Sequence, residues 1–128
     1  MSIDEVYELF ARCLARMPAR YPKPRLVVHD TPEALVGFLK KGRYAFHRGY
    51  DASDVMGMAD AHRNTVHLPR TTLAREPRRA VLGVLLHEVG HLYAAQRYGV
   101  ESDKYTDEAR ANAFERRWLR RLEKELLS

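Results

Sequence analysis

The chain has one cysteine, Cys13, among its 128 residues. A lone thiol cannot close an internal disulfide, and small secreted domains usually carry several, so the disulfide-stapled classes are excluded and a reducing, cytoplasmic setting is expected. No apolar run approaches the roughly 20 residues that span a bilayer, which excludes a membrane helix. The first residues, MSIDEVYELF, place Asp4 and Glu5 where a secretory leader would carry basic residues. Internal repeats, low-complexity tracts and linkers are also missing. What remains is 45% apolar and 30% charged, the balance of an ordinary globular chain, and its length suits one domain over residues 1–128 with one modest core.

The net charge of +5 and the pI of about 9.6 favour acidic partners. Arg116, Arg117, Arg120, Arg121 and Lys124 form a basic run that reads first as a solvated helix face. Contact with nucleic acid is the other reading, and no recognised nucleic-acid motif accompanies it.

Apolar residues recur at helical spacing from Ile3 to Met17, with Ser2 and Glu5 spaced as a capping box. Pro18, Pro22 and Pro24 end that helix and lead into a β-type run, Arg25 to His29. Thr31 before Pro32 is an N-cap with proline at the first helical position, opening a helix that Gly42 should close. Three further runs have strand character, Arg43 to His47, Asp54 to Ala59 and Asn64 to Leu68, and should pair as hairpins. Glu76 to Tyr98 reads as a helix that is apolar almost all round and therefore internal. Gly99 should stop it, and Thr106 should cap a last helix containing Phe114, Trp118 and Leu122. The expected fold is α+β: a small mixed sheet of about four strands on an internal helix and a backing helix, followed by a C-terminal helix.

His87-Glu88-Val89-Gly90-His91 lies in the middle of the internal helix. Residues four apart on a helix differ by about 40° in direction, so both imidazoles can bind one cation. Glu88 sits about 100° round the helix, where its carboxylate can reach a water in the metal's open position as a general base. A catalytic zinc needs a third protein ligand. The downstream candidates are Glu101, Asp103, Asp107 and Glu108. Glu108 is favoured because it would lie in the first turn of the last helix, with Asp107 its main rival. Asn112, one turn further on, can accept a hydrogen bond from the second nitrogen of a ligating histidine.

HEVGH followed by Glu108-Ala109-Arg110-Ala111-Asn112-Ala113-Phe114 resembles the ImmA/IrrE family of gluzincin peptidases and their single-domain relatives, the minigluzincins. The match covers roughly residues 81 to 119. The resemblance implies a zincin-like fold, one zinc ion held by His87, His91 and Glu108, Glu88 as the catalytic base, and Asn112 beside a ligand. It implies a zinc endopeptidase acting on a protein or peptide substrate. Glu115 stands where the family usually has alanine, a change expected to affect packing only. The helix-turn-helix or sensor domains often fused in this family are not expected here, so its repressor-cleaving role is not carried over to this chain. The alternative from another class is a non-catalytic, zinc-containing binding module that uses the basic last helix for regulatory or nucleic-acid contacts.

Zincins usually hold substrate as an added strand along a sheet edge, which by resemblance points to Asn64, Val66 and His67. Tyr105, Tyr98, Tyr93 and His67 are candidates for stabilising an oxyanion, and sequence does not choose among them. His67 is otherwise expected on a solvent-facing strand position, and His29, His47 and His62 on the surface or in turns. Met56-Gly57-Met58 precedes the metal motif and reads as core or strand-edge filling, and Cys13 as helix packing.

Overall fold

A computed structural model describes residues 1–41, 55–99 and 103–127. Among them the chain is a mixed α+β structure of five helices and a three-stranded sheet. The expected strand at Arg43–His47, the Gly42 stop and the start of the Asp54 run lie outside the described residues. No helix among the described residues is long and apolar enough to cross a membrane.

Helix α1 (Ile3–Ala15) opens on the expected capping box, with Ser2 Oγ accepting from the Glu5 amide and Glu5 Oε1 accepting from the Ser2 amide, both at 3.1 Å. It buries Val6, Leu9, Phe10 and Cys13 along one stripe. Strand β1 (Arg25–His29) leads into α2 (Pro32–Lys41), capped by Thr31 Oγ1 accepting from the Ala34 amide at 3.0 Å. Strands β2 (Met58–Asp60) and β3 (Thr65–Pro69) are antiparallel. Their turn is held by Asp60 Oδ1, which accepts from the amides of His62 and Arg63, and by Asn64 at a φ of 48°.

The order β1-β3-β2 puts β3 in the centre, parallel to β1 and antiparallel to β2. Only one of the expected hairpins is therefore present among the described residues. The β1–β3 pair is parallel because the chain passes through α2 between them, and a parallel pair needs such a crossover. Every residue of β3 is buried. Side chains alternate across the sheet: Val66 and Leu68 join the main core with α1, α4 and α5, while His67 faces Phe38 of α2. Leu35 and Val55, with Val36 and Met58 against them, form a second small cluster involving α2 and β2.

A short helix, α3 (Arg70–Arg75), follows β3 directly and was not marked by any periodicity. Helix α4 (Arg78–Tyr98) runs through the core as expected and ends at Gly99, whose φ of 81° lies in the left-handed region and whose amide donates to the Ala95 carbonyl at 2.9 Å. Helix α5 (Lys104–Leu127) begins earlier than Thr106. Its cap is Asp103, with Oδ1 accepting from the Tyr105 amide at 3.1 Å and Oδ2 from the Thr106 hydroxyl at 2.8 Å. Thr106 is thus in the first turn and Glu108 in the second. Trp118, Leu119, Leu122 and Leu126 bury the far half of α5, and Arg79–Glu123 (2.7 Å) and Arg16–Glu125 (2.6 Å) tie it to α4 and the end of α1. Arg116, Arg117, Arg120, Arg121 and Lys124 are exposed, as a solvated face should be.

Candidate metal centre

The site is built where α4 and α5 cross. A Cβ placed on Gly90 would lie 3.0 Å from Phe114 Cβ, 3.1 Å from Ala111 Cα and 3.2 Å from the Ala111 carbonyl oxygen. Only a residue without a side chain lets the backbone of α5 come this close. The glycine of HEVGH thus sets the distance between the helix that carries the histidines and the helix that carries the acids.

At that separation His87, His91 and Glu108 offer ligand atoms that all lie within 4.8 Å of one another. The two Nε2 atoms are 3.2 Å apart, Glu108 Oε2 is 3.1 Å from His87 Nε2, and Glu108 Oε1 is 3.0 Å from His91 Nε2. Ligands about 2.0–2.1 Å from a tetrahedral zinc stand roughly 3.3 Å apart, so this triangle has the size and the donor chemistry for that ion. Three ligands from the protein leave a fourth position open.

The outward nitrogens of both rings are also occupied. His87 Nδ1 is 3.2 Å from Glu115 Oε1 and His91 Nδ1 is 3.0 Å from Asp107 Oδ2. Asn112, expected in this role, is exposed, and the two nitrogens meet Glu115 and Asp107 instead. Glu115 is not a packing substitution but a partner of His87, and Asp107 takes the far nitrogen of His91 while Glu108 takes the near one. The sequence carries a positional signal for Glu115, which lies two turns after Glu108 on the same α5 face, but none for Asp107, which stands one residue before Glu108 and about 100° round the helix.

Glu88 is 5% exposed, with Oε1 3.9 Å from His91 Nε2 and Oε2 buried without a hydrogen-bond partner. Burial pushes its carboxyl up to about 7; His91 opposes this, and the nearby acids Glu108, Asp107 and Glu115 add to it. Burial alone would lower the pKa of His91, but Glu88, Asp107 and Glu108 together outweigh it and leave His91 above its ordinary value. Four acids around two imidazoles, inside a chain of net charge +5, make a local well for a divalent cation.

The remaining sequence-predicted residues do not join this cluster. Asp103 caps α5, and Glu101 lies outside the described residues. Asn64 forms the β2–β3 turn, Val66 is fully buried in the core, and Tyr105 is 79% exposed in the first turn of α5. β3 is a central strand and has no free edge for a peptide to join. Tyr98 is exposed beneath the Arg110 guanidinium, and Tyr93 stacks in an aromatic group with Tyr21 and Phe114.

His67 is 2% exposed, not solvent-facing, because α2 covers that side of the sheet. Its Nδ1 is 2.9 Å from Nε2 of the half-buried His29, so His29 is not a plain surface residue either. Burial, with a contribution from His29, pushes His67 down to about 4. His62 is exposed in the turn, as expected.

No protein-family model, curated protein or solved structure matches the chain.

Proposed function

We propose that the chain is a zinc-dependent endopeptidase of the gluzincin type, similar in design to the ImmA/IrrE peptidases that HEVGH and the Glu108–Phe114 segment resemble. The observation that carries this reading is the convergence of His87 Nε2, His91 Nε2 and the Glu108 carboxylate beside a buried glutamate that lies outside that triad. A purely structural zinc site normally closes with four protein ligands and has no use for a base at its side. Bound there, zinc would supply a Lewis acid that polarises a peptide carbonyl and acidifies the attacking water.

The chain's own residues do the rest. Glu88 accepts a proton from the attacking water and delivers it to the departing amine. Its burial raises the carboxyl's proton affinity above that of an ordinary glutamate, which suits a group that must hold the proton between uptake and release. Two β-strand edges remain unpaired among the described residues, those of β1 and β2. Gly57, just before β2, lies against Glu88, since a Cβ there would stand 3.4 Å from Glu88 Cγ. A substrate strand is therefore expected along β2 and not along β3.

Glu88→Gln keeps the shape and all three ligands, so zinc content and fold should be preserved while hydrolysis of a panel of unfolded proteins falls by about 10²- to 10⁴-fold. Cleavage abolished by a chelator and lost in Glu88→Gln is the expected result. Equal cleavage by both forms would assign the activity to a contaminant and leave a non-catalytic zinc module standing.

A further inference from the structure

We infer that Asp107 and Glu115 are positioning residues for the metal ligands, each holding one histidine ring so that its Nε2 faces the ion. This rests on the zinc reading above. A neutral imidazole carries one N–H, and it can ligate through Nε2 only if the proton is on Nδ1. Asp107 Oδ2 at 3.0 Å from His91 Nδ1 and Glu115 Oε1 at 3.2 Å from His87 Nδ1 are acceptors for that proton, so each carboxylate selects the ligating tautomer and fixes the ring's rotation. The assignment is one to one: neither acid contacts the other's ring at ion-pair distance.

Both acids come from α5, as does Glu108. Their side chains are about one-third exposed, so neither is needed to fill the core. Gly83 adds a geometric reason for the Glu115 position, since a Cβ there would meet Glu115 Oε2 at 3.2 Å; the small residue leaves room for the carboxylate to lie along α4 and reach His87.

The test measures zinc affinity by competition with a chromophoric chelator and follows the two Nδ1–H groups by ¹⁵N NMR of the zinc-loaded chain. Asp107→Ala and Glu115→Ala should each weaken zinc about 10- to 100-fold. Asp107→Asn and Glu115→Gln keep an acceptor oxygen and the volume, so they should lose less, and they carry the test if the alanine variants do not fold. Asn112→Ala should titrate like wild type. A general structural effect would disturb both rings alike. The proposal requires that Asp107 variants shift the His91 Nδ1–H signal and leave His87 unchanged, and that Glu115 variants do the reverse. Wild-type affinity in all four acid variants, or equal disturbance of both rings by either one, overturns it. His87→Ala and His91→Ala separate the two levels of inference: if they keep full zinc content the metal site itself is refuted, whereas if they lose zinc while the acid variants do not, only the positioning role falls.

Discussion

Replacing Gly90 with alanine tests whether the α4–α5 approach builds the site. The new methyl would face Phe114 Cβ at 3.0 Å and Ala111 Cα and its carbonyl oxygen at 3.1 and 3.2 Å. Two of these three obstacles are backbone, so the strain cannot be relieved by a side-chain rotation, and α5 must retreat by a few tenths of an ångström. Helix propensity favours the change by about 1 kcal/mol, because glycine in a helix interior is the poorer former. Overpacking opposes it by about 1–3 kcal/mol. The net effect is a loss of up to about 2 kcal/mol, or a melting temperature lower by up to about 7 °C for a domain of this size.

The same retreat moves Glu108 away from two rings it now meets at 3.0 and 3.1 Å, and a metal site tolerates only about 0.5 Å of misplacement. Zinc affinity should therefore fall by on the order of tenfold, and the melting temperature should drop further in the zinc-loaded protein than in the metal-free one. Gly37→Ala is the control, since a Cβ there meets nothing within 4 Å. It lies inside α2 and should gain up to about 1 kcal/mol with zinc binding unchanged. Thermal unfolding with and without zinc, together with chelator competition, reads both quantities. If Gly90→Ala gains stability as Gly37→Ala does and keeps wild-type zinc affinity, the close approach is not what sets the site.

Two further outcomes follow from the same geometry. Glu108→Ala deletes a ligand whose two oxygens face both Nε2 atoms and should weaken zinc well beyond Asp107→Ala, which deletes only a partner of Nδ1; the reverse ranking in a zinc titration would move the ligand one residue upstream. His67 binds a proton more weakly in the folded chain, at about 4, than in the unfolded chain, at about 6.5, so its contribution is fully present above pH 6.5 and is lost as pH falls towards 4. Denaturant titrations at pH 7 and pH 5 should differ by roughly 2 kcal/mol from this residue, and His67→Phe should flatten that slope; an equal slope in the variant would refute the assignment.

The features of this fold that were legible in the sequence are those fixed by short-range geometry. The capping box at Ser2, the Thr31 cap, the Gly99 stop and the shared direction of His87 and His91 each depend on residues within a turn or two of one another. Features that depend on how elements meet were not legible. Nothing in Asn64–Leu68 distinguishes a central strand from an edge strand, because that is decided by β1 arriving in parallel after a crossover. His67 looks like a polar, outward position until α2 lies over it. Asn112 stands four residues from Glu108, the spacing that suggests a shared face, but the rotation of α5 about the Gly90 contact presents Asp107 and Glu115 to the rings instead. Donor chemistry is enough to pick Glu108 as a candidate beside the two histidines, with Asp107 as its rival, whereas which acid meets the far nitrogen of each ring depends on the crossing of two helices.

The division of the site between two helices has a thermodynamic consequence. Among the described residues, α4 brings both imidazoles and Glu88, and α5 brings every other acid that meets them. An ion bound to both is a cross-link across the Gly99 turn, and it binds the docked arrangement far better than any arrangement in which α5 has swung away. Occupancy and docking are then one linked equilibrium: free zinc at a hundred times its dissociation constant adds about 2.7 kcal/mol to the closed form. Metal-free protein should open first at the beginning of α5, where Asp107 and Glu108 sit. The buried Trp118–Leu126 half stays anchored, so the amides of the first turns should exchange with solvent long before those of the last.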